Sequence, residues 1–205
     1  MNKYPVWLDC DVGVDDAIAI MALHALENID LLAISTVAGN APLAHTFPNA
    51  HRMNGLMHTN YPVYRGASRP LVAEPLTAGA FHGENGLGNV QLPIPENTVM
   101  NDTPAWDALY DCARTHPGEL RLIATGPMTN VAIALTKHPD LRELLHTILI
   151  MGGAAVGGNT TPAAEFNIYE DPEAAQILFK SGVPIVMCGL DVTMKAILRP
   201  EDWEE

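Results

Sequence analysis

The stretch Asp9-Cys10-Asp11-Val12-Gly13-Val14-Asp15-Asp16 places four carboxylates within eight residues, directly after the apolar run YPVWL. Packed that closely they repel one another, so folding must protonate some of them, separate them or supply a cation. Gly13 permits a sharp turn that would bring Asp11 back toward Asp15 and Asp16 at the start of a helix. The helix dipole offsets part of that charge, but three carboxylates exceed what a dipole supplies. A hard divalent cation would offset the rest, and Ca2+ takes oxygen ligands in flexible geometry, backbone carbonyls included. The plainer reading is one N-cap Asp with solvated neighbours.

Other chemistries fit the same residues less well. An EF-hand loop needs Asp or Asn at its fifth position and Gly at its sixth, where counting from Asp9 gives Gly13 and Val14. A haloacid-dehalogenase-type phosphatase, Mg2+-dependent and with Asp9 as nucleophile, uses Asp9 and Asp11 but leaves Asp15 and Asp16 unexplained. It also wants a phosphate-binding lysine that no motif here provides. The run Gly153 to Thr160 is one residue from a P-loop, but Asn159 stands where the phosphate-neutralising lysine belongs. A tight turn, or hydroxyl recognition by Asn159, fits better than a nucleoside triphosphate.

These residues must be positioned by regular elements, and apolar runs alternate with helical patterns along the chain. Strands are predicted at 6–8, 31–36, 62–64, 120–125, 146–151 and 184–189. Helices are predicted at 15–26, 104–115, 128–136 and 172–180, with another across 43–58 that Pro48 should delay until near Phe47. Residues 66–101, rich in Gly, Pro and Asn, read as one long loop. Strict alternation implies βαβ units, so the fold class is α/β: a single domain over 1–205 with an open, mainly parallel sheet flanked by helices. Small and polar residues follow strand after strand: DCDVGVDD, VAGN (37–40), GPMTN (126–130), GGAAVGGN (152–159) and LDVT (190–193). In open α/β sheets ligands sit at strand carboxyl ends, so these segments predict one polar crevice.

Composition narrows the partners. The 205 residues carry a net charge of -13, which argues against nucleic acid or an anionic membrane surface. No apolar run reaches membrane-spanning length. Cys10, Cys112 and Cys188 are widely spaced without a CxxC pair, fitting free thiols in a reducing compartment and a cytoplasmic protein. His24, His45, His51, His58, His116, His138 and His146 form no ligand pair and read as surface or helix-end groups. By residue type alone, Asn40 and Asn167 are turn formers, Glu165 a cap or surface carboxylate, and Met151 core. Asp9 reads as a buried support for the acidic loop, and Asp191 as structural.

Taken together, DCDVGVDDAIAI, VAGN, HGENG (82–86), ATGPMTN (124–130) and MGGAAVGGNTTPAAEFNIYEDPEAA (151–175) resemble the nucleoside hydrolases, the inosine–uridine-preferring N-ribohydrolases. The resemblance spans essentially the whole chain. It implies an active site at the strand carboxyl ends with Ca2+ at its floor, a nucleoside substrate, and homodimers or homotetramers. It further implies that Asp11 binds the metal and acts as general base on a metal-held water, that Asp16 is a bidentate ligand, and that Thr125 offers its backbone carbonyl. Asp15 and Asn40 would bind ribose hydroxyls and water near the metal. Met151, Asn159, Glu165 and Asn167 would hold the rest of the ribose beside the apolar Phe166, and His82 would lie on the loop that closes over the base. A binding protein without turnover is the non-catalytic rival.

Two departures from the family pattern stand out. Val12 replaces the usual Pro of the first loop, and no His in this sequence is followed by the Asp of the His-Asp pair that completes the Ca2+ shell. The family's length continues beyond the position of Glu205, so the chain reads as the N-terminal two-thirds of a longer fold. Alone it is expected to bind Ca2+ weakly, hydrolyse poorly and expose apolar surface.

Overall fold

A computed structural model describes residues 3–197 together with Arg199 and Glu201. Among the described residues six strands form one sheet: β1 (Tyr4–Cys10), β2 (Ile29–Thr36), β3 (Val63–Arg65), β4 (Leu120–Ala124), β5 (Leu145–Met151) and β6 (Ile185–Cys188). Their order is β3-β2-β1-β4-β5-β6, with every pairing parallel. The order reverses between β1 and β4. Loops leaving those two strands therefore diverge to opposite faces and open a crevice at the carboxyl edge.

Alternation along β1 explains its near-complete burial. Trp7 joins a core under α4 (Ala105–Thr115), α5 (Thr129–Lys137) and α8 (Pro172–Phe179). Val6, Leu8 and Cys10 point the other way, into a core with Ile20 of α1 (Val14–Ala25) and Phe47 of α2 (Leu43–Met57). A period of two residues sends neighbours to opposite faces, and helices cover both, which is why the strand is apolar from Pro5 to Leu8.

The expected strands and helices are present, with ends shifted by a few residues. α2 departs most, because it begins at Leu43 and runs through Pro48. The carbonyl that loses its partner there belongs to Ala44, an exposed residue, so water can satisfy it. The stretch 66–101 is not a uniform loop: α3 (Gly79–His82) interrupts it, and Asn101 bridges to Tyr64. Three short helices that the sequence pattern did not signal are α6 (Leu141–Leu144), α7 (Phe166–Glu170) and α9 (Leu190–Thr193). Each is too brief to show a 3.6-residue period.

His51 is a further correction. It is buried on α2, edge-on to the Phe47 ring at 4.9 Å, rather than at the surface. His58, His116 and His138 do sit at helix ends, as C-caps of α2, α4 and α5. The three cysteines are free thiols. Among the described residues no helix is long and apolar enough to cross a membrane.

Candidate active site

The carboxyl end of β1 carries the acidic cluster. Asp9 is in register with Ser35 of β2 and Ala124 of β4. It is buried, accepting hydrogen bonds from Ser35 Oγ and, at 2.7 Å, from Asn130 Nδ2. Trp7 Nε1 donates to the same Ser35 Oγ at 2.8 Å, which extends the chain into the core. Burial pushes the Asp9 carboxyl up to about 7 despite the bonds from Asn130 and Ser35. Both donors meet Oδ1, while Oδ2 is buried without a partner, and Asp9 is not among the cleft-lining residues, which suits a support better than a nucleophile.

Two residues on, Asp11 is fully buried. Its Oδ2 accepts from the Asn40 backbone N–H at 2.6 Å, while Oδ1 has no hydrogen-bond partner. Burial, followed by the Asp16 charge, raises its pKa well above the ordinary carboxylate value. Backbone wraps it closely. A Cβ on Gly39 would collide with Asp11 Oδ2, and one on Gly126 would stand 2.8 Å from Oδ1, so both neighbours must be glycine for Asp11 to sit there.

Asp16 stands in the first turn of α1, where Oδ2 accepts from Gly13 N–H at 3.1 Å and Oδ1 from Thr125 Oγ1 at 2.7 Å. Burial and then the Asp15 charge push it up to about 6. Asp15 does not join the pair. Its side chain is 76% exposed and lies 3.7 Å from His82 Nδ1. The turn at Gly13 therefore brings two carboxylates together, not three.

Distant segments complete the crevice. Thr125 N–H donates to the Asp9 carbonyl at 2.9 Å, which sets the Thr125 carbonyl at the floor, where Asn167 Nδ2 donates to it at 2.8 Å. Asn167 Nδ2 also reaches the Met151 carbonyl at 3.0 Å. Glu165 is the N-cap of α7, receiving Asn167 and Ile168 N–H, and it also accepts from Gly153 N–H at 2.9 Å. Asn159 Oδ1 accepts from Phe166 N–H at 2.9 Å and so pins the glycine-rich loop to the start of α7.

The resulting cleft has a volume of about 320 Å³. Asp15, Asn40, His82, Thr125, Met151, Asn159, Glu165, Phe166 and Asn167 all line it, with Asp11 and Asp16 buried beneath. Ala78, Phe81 and Thr160 line it as well and were not foreseen. Asn130 was also missed as a functional residue, although it closes the ATGPMTN turn; its carboxamide joins Asp9, the Thr36 carbonyl and Ala67 N–H. An Asn ending a turn after a strand was the available signal.

Among the described residues no three His, Cys, Asp or Glu side chains stand as a ready cation cluster. The donor chemistry nevertheless suits a hard cation. Asp11 keeps a buried oxygen without a donor, Asp16 is a second carboxylate beside it, and once ionised both offer acceptor oxygens and no donor. Without a cation, burial and mutual repulsion oppose ionisation of the pair.

A profile of the inosine-uridine preferring nucleoside hydrolase family matches residues 6–205. The pyrimidine-specific ribonucleoside hydrolase RihA of Escherichia coli is 47% identical over 201 residues, covering 98% of this chain and 64% of the relative. Among solved structures, a purine-preferring ribonucleoside hydrolase from Gardnerella vaginalis superposes with a TM-score of 0.91 at 35% identity, over 95% of this chain and 63% of that one. The plant nucleoside hydrolase PpNRh1 gives 0.89 at 36% identity, over 94% and 61%. The chain thus spans about 64% of the length of the RihA relatives it matches. On the profile match and the RihA identity, the chain belongs to the inosine-uridine preferring nucleoside hydrolase family.

Proposed function

We propose that this chain carries the ribose- and cation-binding part of an N-ribohydrolase, which converts a nucleoside and water into ribose and free base. The observation that carries the reading is the unpartnered, buried Oδ1 of Asp11 beside Asp16, at the floor of a cleft lined by Asn40, Asn159 and Asn167. Asp11, Asp16 and the Thr125 carbonyl would hold the cation, for which we name Ca2+ on the all-oxygen donor set. Once bound, such an ion keeps both carboxylates ionised and acidifies a coordinated water.

The chain's own residues perform the remaining work. Asp11 Oδ1 accepts the proton of the attacking water, being a buried oxygen beside Asp16 that is left without a donor. Asp15, Asn40 and the Asn159–Asn167 segment orient ribose through its hydroxyls, and orientation supplies a large share of rate enhancement. Cleavage of the N-glycosidic bond builds positive charge on the ribosyl ring, and an acidic floor favours that charge over the neutral ground state. Met151 and Phe166 provide apolar walls, while His82 and Phe81 border the mouth where the base would lie.

The higher identity to a pyrimidine-specific relative makes uridine and cytidine the first substrates to try. The same reading places the protein in cytoplasmic nucleoside breakdown or salvage, as a homodimer or homotetramer. The test is incubation of the purified protein with uridine, cytidine and inosine, with Ca2+ or a chelator, while free base and reducing sugar are measured. Slow base release that a chelator abolishes is expected. Nucleoside binding without base release would instead favour a binding protein, and phosphate release from a phosphomonoester would favour the phosphatase.

A further inference from the structure

Glu170 and Asp171 lie at the junction of α7 and α8, are 1% and 0% exposed, and belong to no part of the cleft described above. Each carboxylate is met by a backbone amide from a loop far away in sequence. Leu71 N–H donates to Asp171 Oδ2 at 2.9 Å, and Leu76 N–H donates to both oxygens of Glu170 at 3.1 Å. Asp171 is itself fixed to the core, since it accepts from Thr129 Oγ1 of α5 at 2.6 Å and from Ala174 N–H of α8 at 3.0 Å.

The loop between these amides has no helix or strand of its own from Gly66 to Ala78. An open pocket of about 500 Å³ is lined by Val72–Glu74 and Leu76 on one side and by Ile168, Glu170 and Glu173 on the other, and Leu71, Val72 and Leu76 are exposed, so apolar packing does little to lock the loop in place. The polar tethers do. Two residues past Leu76, Ala78 N–H donates to the Asn40 carbonyl at 3.0 Å, and α3 then carries Phe81 and His82 to the cleft. Phe81 is 87% exposed even though it lines the cleft, so no protein packing holds that ring there.

We propose that Glu170 and Asp171 are positioning residues: by holding residues 71–78 they set α3, with Phe81 and His82, over the mouth of the cleft where the nucleobase is gripped. This rests on the nucleoside hydrolase reading. The pair touches neither ribose nor the reacting bond, so its loss weakens substrate capture and leaves the chemical step alone. Glu170 needs only an acceptor oxygen for this task, which glutamine retains.

The test uses the full chain with Glu170→Leu, Glu170→Gln and Leu76→Pro, the last removing the amide donor from the exposed side without disturbing the core. Uridine hydrolysis is followed over a range of substrate concentrations, and hydrogen exchange is read across residues 71–88 and, as a control, α1. Glu170→Leu and Leu76→Pro should each raise KM by about tenfold with kcat changed less than about twofold. Both should also speed exchange at 71–82 but not in α1, while Glu170→Gln matches the wild type. Unchanged KM and exchange in Leu76→Pro, a lower kcat at constant KM, or a glutamine variant as impaired as the leucine one would each overturn the proposal. Wild-type protein that neither binds nor cleaves nucleosides would overturn the functional reading. The exchange data then decide the tether separately, because an unprotected 71–82 segment in the wild type refutes it.

Discussion

Thr125 Oγ1 donates to Asp16 Oδ1 across 2.7 Å, so the end of β4 and the first turn of α1 close on the same carboxylate. The two residues come from opposite sides of the point where strand order reverses, and their contact seals the cleft floor. Thr125 also presents its backbone carbonyl there, to Asn167. One residue thus orients a proposed ligand through its side chain and offers another through its main chain.

Thr125→Val keeps the shape and the carbonyl but frees Asp16 from its donor. Loss of such an orienting bond typically costs about 10–100-fold in metal affinity. Ca2+ titrations followed by thermal unfolding should show the wild type stabilised and the variant needing correspondingly more Ca2+ for the same rise in melting temperature. Equal Ca2+ responses would contradict the placement of the cation at Asp16.

Asp11→Asn should abolish base release, by at least about 100-fold, because the amide cannot take a proton from water. In chelator the same variant should melt no lower than the wild type. Asparagine removes a buried acid whose ionisation burial and the Asp16 charge already oppose. A large loss of chelator-treated stability would mean that Asp11 holds the fold together, against our reading.

Gly39→Ala tests the close approach of backbone to Asp11. The added methyl would collide with Asp11 Oδ2, and little can yield in a buried loop that also meets the Pro127 ring. The cost should reach roughly 1–3 kcal/mol, as for overpacked buried sites. Denaturant unfolding measures it, and loss of the Ca2+-induced stabilisation should accompany it. Gly79→Ala, with open space around it, serves as the neutral control.

Stability should fall as pH rises from about 4.5 to about 7, in part through Glu170. Burial raises this carboxyl from 4.5 to about 7, with the neighbouring Asp171 adding to the rise and the Leu76 amide opposing it. Between those values the native state holds a proton that the unfolded chain releases. The contribution is therefore complete below about 4.5 and lost above about 7, worth at most about 3 kcal/mol. Chemical denaturation at pH 5 and pH 8 in chelator checks this, and Glu170→Gln should narrow the difference between the two.

Much of this architecture is legible in the residues themselves. The apolar runs ending in small and polar residues specify parallel strands with a shared carboxyl edge, because a doubly covered strand must be apolar along its whole length. The carboxylates after β1 could be picked out as site candidates because local spacing puts them at a strand end, whereas Asn40 and the Glu165–Asn167 segment read by residue type as turn and cap residues and were marked only by the resemblance. A family-wide pattern of motifs supplied their proposed roles.

Only the folded chain decided which of those groups share an environment. Asp15 and Asp16 are adjacent in sequence, yet one faces solvent beside His82 and the other is buried against Thr125, since consecutive helical positions point about 100° apart. Asp9 found its partners in Ser35 and Asn130, and Glu170 found its partner in Leu76, 94 residues away. Spacing within one segment reports what local geometry permits. Burial, and with it every raised carboxyl pKa, depends on chain segments that meet only when the sheet is assembled.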